Sequence, residues 1–121
     1  MQGTKLYWAM ALALTSLLCL PPAAQARDAR CRIIQDGKVS LDRICDFQPD
    51  GRNGSFSLTG RGGRGSLLPG VSVVSVSVID PGVAEVRGLT RGGINSRWGE
   101  ARRSGRDRAC WDGAGFRVCV Y

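Results

Sequence analysis

The sequence predicts an all-β fold, a small antiparallel meander of about six strands forming one barrel or sandwich and held by two disulfides. Three observations carry that expectation. Short runs such as Ser55-Phe56-Ser57-Leu58-Thr59 and Val83-Ala84-Glu85-Val86-Arg87 alternate polar and apolar residues, the two-residue period of a half-buried strand. Turn-forming pairs, among them Asp36-Gly37, Asp50-Gly51, Asn53-Gly54 and Pro81-Gly82, separate the runs. Four cysteines after the opening segment supply covalent closure for a short chain.

Residues 1–26 read as a secretory signal peptide and 27–121 as a single domain. Lys5 gives the positive start, Trp8 to Leu20 is an apolar run, Pro21-Pro22 breaks it, and Ala24-Gln25-Ala26 fits small-x-small cleavage after Ala26. The run is shorter than the roughly twenty residues of a membrane span, so no stable membrane anchor is expected once the signal is cut. Acylation of Cys19 would require a small residue before it, and Leu18 is large. The expected destination is the periplasm or the exterior. There Cys31, Cys45, Cys110 and Cys119 should pair. Three pairings exist; local spacing favours Cys31–Cys45 with Cys110–Cys119, each contributing roughly 2.5–3 kcal/mol on the chain-entropy account. A zinc site has neither CxxC spacing nor a histidine to support it.

The elements follow in order. Arg27 to Arg30 is a polar lead expected to fray. Cys31 to Gln35 and Val39 to Cys45 form a hairpin about Asp36-Gly37, its open end clamped by the first disulfide. Gln48 to Gly54 is a turn-rich connection. Ser55 to Thr59 is a strand facing inward with Phe56 and Leu58. Gly60 to Gly65 is a flexible loop, since its glycine spacing and surroundings do not make a phosphate cradle. Val71 to Ile79 is the longest strand and belongs in the middle of a sheet; the doubled valine at 73–74 signals a bulge. Val83 to Arg87 pairs with it, and Gly88 to Gly93 is a loop. Cys110 to Tyr121 is the best-specified hairpin. Its register sets Cys110 against Cys119, Trp111 against Val118 and Asp112 against Arg117, which places Trp111, Phe116, Val118 and Val120 on one face.

The chemistry points away from catalysis. Histidine is absent, removing the usual base near neutral pH. Every cysteine of the exported chain is better used in a bond, and Lys38 stands in an exposed turn. Most of the acids, Asp36, Asp46, Asp50, Asp80 and Asp112, sit in turn contexts. No cofactor or metal is expected. Without Lys5 the chain keeps 16 basic residues, 15 of them Arg, against ten acidic ones. A genome rich in Arg and Gly codons is the simpler account of that excess; the alternative is a surface for anions. Export argues against a specific nucleic-acid role.

One segment has unusual composition. Between Ile94 and Arg108 lie five arginines and a tryptophan, with a single helical turn at most near Glu100 to Arg103. The simpler reading puts Trp98 in the core and the arginines on a solvated rim. The functional reading makes Arg97, Trp98, Arg102, Arg103, Arg106 and Arg108 a face for an anionic envelope polymer or an acidic protein. A second function of a different class, inhibition of a lysozyme or protease, suits a small rigid β-domain. Trp111 is assigned to the core, and Tyr121 is assigned no role.

Ala109-Cys110-Trp111 with seven residues before Cys119, the Cys31…Asp36-Gly37…Cys45 hairpin and the Gly54-Ser55-Phe56 strand together resemble small exported proteobacterial proteins of uncharacterised function. The likeness covers about half of the exported chain in short patches and breaks at Asp112-Gly113 and in the 97–108 segment. It implies export, disulfides and a β-fold, and no activity.

Overall fold

The computed structural model describes Gly3 and residues 26–121; the predicted signal peptide, with Lys5 and Cys19, otherwise lies outside the described residues. Eight strands follow one another: β1 (Arg27–Gln35), β2 (Lys38–Asp50), β3 (Ser55–Thr59), β4 (Val71–Asp80), β5 (Val83–Thr90), β6 (Asn95–Arg103), β7 (Cys110–Gly113) and β8 (Phe116–Val120). Each pairs antiparallel with the next, and β1 pairs with β8, so the sheet closes into a barrel. The fold is all-β, as the alternation predicts. Closure leaves neither β1 nor β8 as a free edge, which removes the template that an apolar run such as Val71–Ile79 would otherwise offer. At eight strands, side chains fill the interior. Ile33, Leu58, Val74, Val76, Val86 and Val118 are fully buried there.

The last hairpin takes the predicted register: Cys110 faces Cys119, Trp111 faces Val118 and Asp112 faces Arg117. Trp111, Phe116 and Val118 enter the core, while Arg117 pairs outward with Asp112. Both predicted disulfides are present. Cys31–Cys45 belongs to the core cluster, whereas Cys110–Cys119 lies outside it, with Cys110 Sγ 3.7 Å from the Tyr121 hydroxyl.

The first hairpin turns at Asp36-Gly37 as expected, in the tight mirror-image form with both residues at positive φ, but its clamp and its length differ from expectation. A register shift after Ile33 then sets Cys31 opposite Arg43 and Cys45 opposite Ala29. The disulfide therefore crosses the ladder diagonally and does not close its open end. The strands run on past it, so Arg27 to Arg30 is ordered strand, with Arg27 opposite Phe47 and Ala29 buried. The predicted connection at Gln48 also shrinks, because β2 continues to Asp50. β1 begins at Arg27, opposite Phe47, so among the described residues β2 has only β3 beside it at Pro49, an edge-like position that tolerates proline.

Two further stretches depart from the predicted layout. β5 continues through Gly88 to Thr90, so only Arg91–Gly93 of the expected loop remains a turn, and β6 stands where a single helical turn at most was expected. Its apolar period is hidden by a bulge: Val86 faces Gly99 but Arg87 faces Arg97, and Gly99 takes φ 134°. Trp98 and Ala101 thus both pack against the core although they are three residues apart. Gly88 is required beneath Trp98, since a Cβ there would lie 2.8 Å from the indole nitrogen. In β4 one register shift falls between Val71 and Val73, just before the doubled valine, and a second between Val78 and Asp80.

Candidate functional site

Antiparallel closure gives the barrel two chemically different ends. One gathers the β1–β2 turn, the β3–β4 loop, the β5–β6 turn and the β7–β8 turn. There Leu67 and Leu68 fold inward, 1 % and 4 % exposed. Their amides both donate to the Val71 carbonyl, at 3.0 and 3.1 Å. Arg43 Nη2 holds the loop by donating to the Ser66 and Leu67 carbonyls, both at 3.1 Å, and Arg91 Nε donates to Ser66 Oγ at 2.8 Å. Trp98 and Phe116 meet edge to face at 5.8 Å in the same half. This end is stoppered.

The other end carries the start of β1, the end of β8, the β2–β3 and β4–β5 turns and the Ser104–Ala109 connection. Side-chain parity puts unusual residues in its last inward layer. Arg27 stands two before buried Ala29, Phe47 two after Cys45, Arg103 two after Ala101, and Val120 two after Val118. With Phe56 and Trp111 they line a cavity of about 280 Å³. The Arg27 guanidinium lies 4.6 Å from the Phe47 ring centre and that of Arg103 lies 5.4 Å from the Trp111 ring. A guanidinium stacked on a ring face keeps its N–H donors in its own plane, directed sideways. Neither arginine has an ion-pair partner among the described residues, and no acid lines the cavity.

The Ser104–Ala109 connection at this end is braced. Ser104 Oγ accepts from the amides of Arg106 and Asp107, both at 3.2 Å, and Asp107 Oδ1 accepts from the Ala109 amide at 3.0 Å. Arg103 Nε donates to the Arg108 carbonyl at 2.7 Å. The Tyr121 hydroxyl donates to Asp107 Oδ2 at 2.6 Å, while the Tyr121 and Arg30 backbones exchange two hydrogen bonds. That bond holds the Asp107 carboxyl below its ordinary range, helped by the Ala109 amide, and raises the Tyr121 phenol above its own. Tyr121 is therefore a brace.

The six predicted site residues do not share one surface. Trp98 points inward at the stoppered end. Arg97 donates to Glu85 at 2.9 Å on the outer wall, where Arg87 binds the same carboxylate, and Arg102 lies 3.4 Å from Glu100. The Glu85 carboxyl is held below its ordinary range, chiefly by the Arg97 hydrogen bond. Arg103, Arg106 and Arg108 do collect at the open end, and the last two are exposed with no ion pair among the described residues. Arg103 meets Trp111 where the sequence pointed to Trp98. Arg27, Phe47 and Trp111 were outside the predicted set. Counting in twos from buried positions would have found them, had β1 and β6 been assigned to their full lengths.

Among the described residues no group of three or more His, Cys, Asp or Glu side chains is placed to hold a metal ion. Comparison with known protein families, with curated proteins and with solved structures returned no match.

Proposed function

We propose that this chain is a non-catalytic, exported binding module that takes an anionic partner, an envelope polymer or the acidic face of a protein, at the open end of its barrel. One observation carries the reading. Arg27, Arg103, Arg106 and Arg108 lie at that end with no carboxylate partner among the described residues, whereas on the wall Arg97 shares Glu85 with Arg87 and Arg102 is paired with Glu100. Guanidinium groups already paired gain little from a new anion; exposed ones on a fixed frame gain more. The reading extends the proposal of export to the periplasm or the exterior, as in the small proteobacterial proteins this chain resembles.

Two double variants with equal charge loss test it. On immobilised dextran sulfate, Arg106→Ser with Arg108→Ser is expected to elute at clearly lower salt than the parent. Arg97→Ser with Arg102→Ser should elute close to it. Equal loss in both would mean that net charge alone drives binding, and the reverse order would refute the site.

The braced Ser104–Ala109 connection favours a second reading, inhibition of a hydrolase, because a loop fixed before binding loses little freedom on docking. Arg106 would be its inserted side chain. Inhibition of some member of a lysozyme and protease panel, abolished by Arg106→Ser, is the expected result; no inhibition across the panel refutes it.

A further inference from the structure

We infer that the cavity inside the open end binds a small carboxylate attached to an aromatic ring, a site that shares Arg27 and Arg103 with the reading above but does not require it. The argument begins with parity. An eight-stranded barrel of this size is expected to complete its interior with apolar side chains, yet the last inward positions of β1 and β6 are Arg27 and Arg103. Each lies over an aromatic ring belonging to another strand, Phe47 of β2 and Trp111 of β7. The pair thus brings two guanidinium groups to one cavity from strands far apart in the sequence.

The remaining lining is apolar. Phe56 and Trp111, 7 % and 3 % exposed, form its floor, and half-buried Phe47 and Val120 supply the accessible apolar surface, with no acid beside it. Phe47 and Phe56 contact each other at 5.1 Å, which fixes that side of the wall. The size selects as well. A cavity of about 150 Å³ holds benzene, so the 280 Å³ here has room for one ring with its carboxylate. A carboxylate can take two parallel N–H bonds from a guanidinium edge. An ammonium group would find no counter-charge in the lining, which disfavours zwitterionic amino acids. Phosphate would engage the arginines but leave the aromatic wall uncovered. Cleavage after Ala26, as the sequence predicts, would add the α-ammonium of Arg27 to the same end.

Nuclear magnetic resonance on the exported, processed protein tests this, with benzoate as the probe. Titration is expected to shift the Trp111 indole N–H and the Nε–H signals of Arg27 and Arg103, with a dissociation constant of about 1 mM or below. Benzamide, the neutral isostere, and inorganic phosphate should each bind at least about tenfold more weakly, and Arg27→Gln and Arg103→Gln should each weaken benzoate by about tenfold. Arg103 also braces the Ser104–Ala109 connection, so any rearrangement in Arg103→Gln will register in those amides. Arg27→Gln touches none of the brace and then decides. Arg106→Ser with Arg108→Ser should leave benzoate binding intact, whatever it does to polymer binding. Absence of a Trp111 shift, benzamide binding as well as benzoate, phosphate binding as well as benzoate, or full binding by Arg27→Gln would each overturn the inference.

Discussion

At the stoppered end of the barrel arginine serves the backbone; at the open end it stacks on rings. Arg43 and Arg91 donate to the Ser66–Leu67 loop and hold two leucines in the core. Arg27 and Arg103, both exposed, sit over Phe47 and Trp111, and of the two only Arg103 gives a donor, its Nε–H, to a backbone carbonyl among the described residues. The same residue type therefore closes one end and leaves the other receptive. What differs is the neighbour: peptide carbonyls satisfy a guanidinium edge, whereas an aromatic face leaves the edge available. An excess of arginine in the composition does not by itself distinguish the two uses.

Removing the stopper should have the largest effect. Leu67→Ala is expected to cost about 2–5 kcal/mol of unfolding free energy in urea, the range for a buried leucine, while leaving anion binding at the far end unchanged. Loss of binding together with stability would show that the ends are not independent. At the open end, replacing Cys110 and Cys119 by Ala should cost about 3 kcal/mol and loosen the connection that carries Arg106 and Arg108. Weaker polymer binding than in Leu67→Ala at matched stability is the result that sharpens the contrast.

Smaller effects separate the arginines themselves. Arg43→Gln removes the two hydrogen bonds to the loop carbonyls and is expected to destabilise by about 1 kcal/mol. Arg106→Ser with Arg108→Ser should change stability by no more than about 0.5 kcal/mol while reducing affinity for an anionic polymer. If the second pair proved the more destabilising, the division between structural and receptive arginines would fail.

The smallest effect is a pH dependence at the open end. Tyr121 has a raised pKa in the folded chain, so its contribution is complete below the unfolded phenol value of about 10 and disappears as pH rises through the folded one. Asp107 is lowered, so its contribution is present above the unfolded carboxyl value of about 3.9 and is lost as pH falls through the folded one. Amide exchange at Ala109 and Cys110 should accelerate relative to Leu67 at both extremes, after correction for intrinsic rates, and Tyr121→Phe should abolish the alkaline limb and shrink the acid one to the part held by the Ala109 amide. An unchanged ratio across the whole range would remove the brace from the account.

Much of this architecture is legible in the sequence because alternation and cysteine spacing are local signals. The final hairpin is readable since apolar period, opposite charges and paired cysteines all set one register. β6 is not, because its bulge at Gly99 moves the inward positions from Trp98 to Ala101 and breaks the count. Leu67 and Leu68 carry no period at all; they enter the core from a loop, and only tertiary placement reveals it. The site suffers most. Arg103 is in the predicted set, but its aromatic partner comes from β7 and its companion Arg27 from the start of β1. Those juxtapositions arise only when the sheet closes on itself.

The most direct test is a chemical-shift map of the processed protein titrated with dextran sulfate. Shifts gathered on Arg27 and the Ser104–Ala109 connection, with Asp36–Lys38, Gly60–Gly70 and Arg91–Ile94 unmoved, are the predicted pattern. Shifts centred on the stoppered end, or spread evenly around the outer wall with Arg97 and Arg102, would contradict it.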